Sequence, residues 1–88
     1  MQRVSEDMHA WLSAIGAVCY CTDRVEYLDS HDGVMVKFLL GERLAAECLL
    51  ASRELTLFDY WGSVQAKRLL ETFALQQGLE FHCRQHAA

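Results

Sequence analysis

Apolar residues recur along this chain with two different spacings, and the switches between them limit the folds open to it. Met8, Trp11, Leu12 and Ile15 fall at i, i+3, i+4 and i+7, one stripe of a helix. From Ala17 to Tyr60 the apolar segments are short and broken by turn chemistry. Within them Val34, Val36, Phe38 and Leu40 alternate with Met35, Lys37 and Leu39, the period of a strand with two unlike faces. Ala66, Leu69, Leu70, Phe73 and Ala74 return to helical spacing, and Leu79, Phe81 and Cys83 then alternate with Glu80, His82 and Arg84. A chain that reads helix, strands, helix, strand buries these stripes most economically as a sheet with helices on one face. The expected fold is α+β: a single small domain over residues 1–88, with a mainly antiparallel sheet of four to five strands and two helices on one face.

Turn and cap residues place the boundaries. Ser5 suits an N-cap, with Glu6 and Asp7 in the first turn where the helix dipole favours acids. Gly16 then reads as a stop after Ile15. Val18, Tyr20, Val25 and Tyr27 are β-formers, and Ser30-His31-Asp32-Gly33 is a turn cluster. Leu40-Gly41-Glu42-Arg43 reads as a tight hairpin with glycine at the first central position. Residues 43–52 alternate like a strand yet are rich in the helix formers Ala, Leu and Glu; the preceding turn and the lack of a Ser, Thr or Asp cap favour a strand. Glu54 to Tyr60 is a further strand, Ser63 caps the second helix, and Gly78 ends it.

Composition narrows the class of function. Residues are 52% hydrophobic and 23% charged, which is not the make-up of a disordered chain. The apolar runs stay far below the ~20 residues that cross a bilayer. Acids stand where a signal peptide would need its apolar core, so the expected location is cytoplasmic. There the cysteines Cys19, Cys21, Cys48 and Cys83 are expected as free, buried thiols, with Cys19 and Cys21 sharing one face of a strand. Twelve acids against eight bases give a net charge of −4, and Lys67-Arg68 is the only adjacent basic pair. A direct nucleic-acid binder needs a basic patch for phosphates, so direct binding is disfavoured.

Few residues form a chemical constellation. Cys19, Cys21, His82, Cys83 and His86 include four soft or borderline ligands for zinc, but structural zinc sites draw on C-x₂₋₄-C knuckles rather than C-x-C along a strand. His31 with Asp32 and Asp29 has the makings of a base and its orienter, without an assignable nucleophile; His9 borders an apolar helix face and reads as structural. No phosphate-binding glycine loop or dinucleotide fingerprint occurs. The expectation is a protein that is not an enzyme and uses no cofactor.

Two features suit interaction. Asp23, Glu26, Asp29 and Asp32 form an acidic stretch interrupted only by Arg24, expected along one hairpin, where it would steer a basic partner. Tyr60 and Trp61 sit at a strand-to-helix junction, and such aromatics anchor interfaces. The apolar surplus implies a surface covered in use by a second copy or by a partner. The expected function is a non-catalytic, acidic inhibitor or adaptor docking on a larger protein or complex, one that handles nucleic acid being one such type. Its composition resembles that of the small proteins phages encode against host defence, anti-CRISPR proteins among them, although no family motif carries that likeness. The alternatives are a small metal- or ligand-binding domain using the Cys and His residues, and then a small hydrolase.

Overall fold

The structure, a computed structural model, describes residues 6–29 and 31–85. Helix α1 (Glu6–Tyr20) leads into β1 (Arg24–Asp29), β2 (Gly33–Leu40), β3 (Arg43–Ala51) and β4 (Glu54–Asp59), then α2 (Val64–Gln76) and β5 (Glu80–Gln85). The strands make one sheet in the order β1-β2-β3-β4-β5. Its first four strands form an antiparallel meander. Helix α2 carries the chain back along the sheet, so β5 lies parallel to β4, as a helical crossover requires. This is the expected α+β domain.

Both helices pack on one face. Leu12 and Ile15 of α1 and Leu70 and Phe73 of α2 share a single buried cluster with Val34, Val36 and Phe38 of β2, Cys48 and Leu50 of β3, and Leu55 and Leu57 of β4. Trp11 stacks on Phe73 with ring centroids 4.3 Å apart, clasping the helices together. Segment 43–51 is a strand; its Ala-rich composition yields to the hairpin before it and to ladders on both sides. Gly41, at φ +61°, supplies the left-handed residue of that hairpin. Gly33 is needed for another reason: a Cβ there would lie 1.9 Å from the Leu50 carbonyl oxygen.

Helix α1 departs from expectation. It passes Gly16 and runs to Tyr20, so Val18, Cys19 and Tyr20 are helical, and Cys19 and Cys21 share no strand. Gly16 is a contact residue instead of a stop, because a Cβ would sit 2.7 Å from Phe38 Cδ1 and 2.6 Å from Thr22 Oγ1. The helix closes at Cys21, whose φ is +54°, with the Thr22 N–H donating to the Gly16 carbonyl at 3.2 Å. Tertiary contact outweighs β-propensity here: Tyr20 is buried beside Phe38, ring centroids 5.8 Å apart. The proposed Ser5 cap lies outside the described residues, as do Ser30 of the turn cluster and His86. At α2 the Ser63 hydroxyl accepts the Ala66 N–H at 3.1 Å, as expected. Leu69, however, is exposed and leaves the buried stripe to Ala66, Leu70, Phe73 and Ala74.

All four cysteines are free thiols. Cys48 and Cys83 face the core from either side of Leu57 in one cross-strand row, so their Cα atoms stand about two strand spacings, ~9–10 Å, apart. Disulfides need Cα atoms closer than ~7 Å. Burial pushes the Cys19, Cys48 and Cys83 thiols above their ordinary range, which quenches their reactivity. Cys21 alone is exposed.

Candidate functional site

The helix-free face of the sheet is built by the residues that alternate with the core. Cross-strand pairing sets two adjacent rows on it: Leu28, Met35, Leu49, Thr56 and His82, then Glu26, Lys37, Glu47, Phe58 and Arg84. An antiparallel sheet with one solvated face normally makes that face polar. Here Leu28 is half exposed, while Met35, Leu49 and Phe58 are half-buried outside the core cluster.

Charges cross this apolar strip as bonded groups. The Lys37 ammonium lies 3.8 Å from the Glu47 carboxylate, and the Tyr60 hydroxyl donates to the same carboxylate at 2.6 Å. That hydrogen bond holds Tyr60 in its neutral form and pushes its ionisation up to about 12. The Arg24 guanidinium pairs with Glu26 at 3.1 Å.

At one end of the face, Asp59 builds an elbow. Its carboxylate is 1% exposed and accepts the backbone N–H groups of Trp61 at 3.2 Å, Gly62 at 2.7 Å and Ser63 at 2.7 Å. Three donors of the strand-to-helix turn are thereby satisfied by one buried anion. Tyr20 is buried beside this carboxylate; burial and then the Asp59 charge push its ionisation far above the ordinary range. The elbow presents Trp61, 42% exposed, with the Arg43 guanidinium 5.8 Å from the ring centroid, within cation–π range.

The acidic stretch runs along β1 and its turn into β2, as expected, but is spread from one end of the sheet to the other. Asp23 stands near the Trp61 end, where its carboxylate accepts the Gly41 N–H at 3.2 Å from each oxygen, tying the entry of β1 to the β2–β3 turn. Glu26 lies mid-strand on the helix-free face. Asp29 and Asp32 are exposed at the opposite end, ~17 Å along β1 from Arg24. Tyr60 and Trp61 are neighbours at one end, and Asp29 and Asp32 lie apart from them at the other. His31 shares the exposed turn with Asp32. His9 is exposed and packs its ring 4.5 Å from Tyr27.

No protein-family model, curated protein or solved structure matches this chain. Its capabilities are those its own surface shows. Between the helices a groove of ≈ 360 Å³ is lined by Asp7, Met8, Trp11, Phe73, Gln76 and Gln77, a lining suited to an apolar or flat group. Among the described residues, no helix is long and apolar enough to cross a membrane.

Reading along the chain missed the Lys37–Glu47–Tyr60 network and the burial of Asp59. The Asp59 elbow carried a usable signal, an Asp three residues before a Gly at a strand end, the pattern of a side chain that bonds its own turn. The network carried none, because its members meet only through the strand register.

Proposed function

We propose that the protein is a non-catalytic interaction module, an acidic inhibitor or adaptor that docks on a larger protein through the helix-free face of its sheet. The carrying observation is the apolar strip of Leu28, Met35, Leu49 and Phe58 on the face that neither helix covers. Contiguous apolar surface on a small domain marks a face used for association. The Trp61–Arg43 pair at one rim supplies an anchor of the type found at interface hot spots.

The partner is a protein with an apolar ridge and basic flanks. Net charge is −4, Asp29 and Asp32 project from the β1–β2 turn, and on the face itself Arg24 and Lys37 are engaged by Glu26 and Glu47. These are poor conditions for phosphate and good ones for lysine and arginine. A protein that handles nucleic acid carries such a basic groove, and occupying it would inhibit it.

The test is capture of the partner from the native host, followed by affinity measurement on variants. Leu49→Arg and Phe58→Asp should weaken the complex at least about 100-fold, some 2.7 kcal/mol, while Leu75→Arg on the outer face of α2 should leave it unchanged. Loss of affinity with Leu75→Arg alone would move the interface to the helices and end this reading. A second copy as occupant would show as a dimer in sedimentation that Leu49→Arg converts to monomer.

A further inference from the structure

Glu54 and Glu80 stand directly opposite each other on the parallel strands β4 and β5, and His82, two residues further along β5, stands opposite Thr56. Their neighbours Leu55 and Leu57, and Phe81 and Cys83, face the core, so all three project from the helix-free face. Like charges placed directly opposite in a sheet destabilise it. His82 lies between them: its Nε2 is 3.5 Å from Glu54 Oε1 and 3.3 Å from Glu80 Oε1. The three donor atoms lie within 4.8 Å of one another.

Those separations have a chemical meaning. Ligand atoms held tetrahedrally about a cation at ~2.0–2.1 Å sit roughly 3.3–3.4 Å from one another. The His82–Glu80 edge of the triangle, at 3.3 Å, has that length, and the His82–Glu54 edge, at 3.5 Å, is close to it. We propose that Glu54, Glu80 and His82 form a binding site for a zinc-class divalent cation, with two carboxylate oxygens, one imidazole nitrogen and a fourth position open to solvent. The imidazole selects against magnesium and calcium, which take oxygen ligands. This site is distinct from the thiol site considered for Cys19, Cys21, Cys83 and His86: Cys19 lies on α1, Cys83 faces the core, and Glu54, Glu80 and His82 form the convergent donor set among the described residues. An ion here cancels the repulsion between the two carboxylates and fastens the edge strand β5 to β4. The site shares the helix-free face with the docking strip, its His82 standing beside Thr56, but it does not rest on the docking reading.

The test is calorimetric titration of chelator-treated protein with zinc, alongside thermal melting and cobalt absorption spectra. One equivalent of zinc should bind and raise the Tm, while magnesium at the same concentration should do neither. His82→Ala should abolish binding, and Glu54→Gln or Glu80→Gln should weaken it by about tenfold or more. All three substitutions are at exposed positions, and circular dichroism checks that each variant is folded. The cobalt complex should show ligand-field bands without a thiolate charge-transfer band. Absence of saturable zinc binding would overturn the proposal. So would binding that survives His82→Ala and disappears in Cys21→Ser, since the metal would then sit on thiols.

Discussion

Asp59 shows how much one side chain can organise. It closes β4 and satisfies three N–H groups of the turn that starts α2. Removing it strands those donors in a part-buried turn. Asp59→Ala should cost about 3 kcal/mol in denaturant unfolding, since an unsatisfied buried donor costs roughly 1–3 kcal/mol and bonds to a charged acceptor stand at the upper end. Tyr60 makes a prediction of opposite chemical sense. Its hydrogen bond to Glu47 raises its ionisation from 10.0 to about 12 in the folded protein. A group raised on folding stabilises fully below its unfolded value and loses that contribution as pH climbs through the folded one. Stability should therefore fall between about pH 10 and 12, and Tyr60→Phe should remove the part of that fall due to Tyr60. A melt series across this range decides it; an unchanged slope in Tyr60→Phe would mean that the bond to Glu47 is absent in solution.

At the scale of elements, the longer α1 is the informative case. Taken as a helix position alone, Gly16→Ala should stabilise by ~1 kcal/mol. In the folded protein the added methyl meets the Phe38 ring and the Thr22 hydroxyl, and overpacking of this kind costs about 1–3 kcal/mol. The contact should win, so Gly16→Ala should lower the Tm; a higher Tm would show that α1 stands off the sheet. Helix α2 is held by Phe73, which is 7% exposed and stacked on Trp11. Phe73→Ala should cost about 3–5 kcal/mol, a large share of what so small a domain has. Equilibrium unfolding of the two variants ranks the attachments of the helices to the sheet.

For the whole molecule, the spread of the acidic stretch along the β1–β2 hairpin separates two effects on binding. Asp29 and Asp32 are distant from Trp61, so they act on a partner through the field, and Trp61 acts through contact. Changing Asp29 and Asp32 to amides should leave the fold intact, slow association and flatten its salt dependence; Glu26 is left in place because it lies on the docking face and pairs with Arg24. Trp61→Ala should instead speed dissociation, with a loss of about 2 kcal/mol or more. Stopped-flow association and dissociation rates against the captured partner separate the two. If both variants bind as the parent does, the contact surface lies elsewhere.

Much of this architecture was legible along the chain because it is a matter of period and punctuation. Alternation at Val34–Leu40 and Leu79–Arg84, helical spacing at Ala66–Ala74, the Gly41 hairpin and the Ser63 cap are local facts, and local backbone preference settles them. What local preference could not decide were choices between two acceptable conformations. Val18 and Tyr20 suit a strand, but burial of Tyr20 against Phe38 keeps them helical; Gly16 suits a helix stop, but close approach to the sheet gives it another use. The functional surface is less legible still. Glu47 meets Lys37 and Tyr60, and His82 meets Glu54, only once antiparallel and parallel registers set distant residues side by side. Sequence alone therefore determined the elements and which side chains each could hide, because period and turn chemistry act over a few residues. Tertiary structure decided which face stays uncovered and which charges meet on it, because those depend on the pairing of strands far apart in the chain.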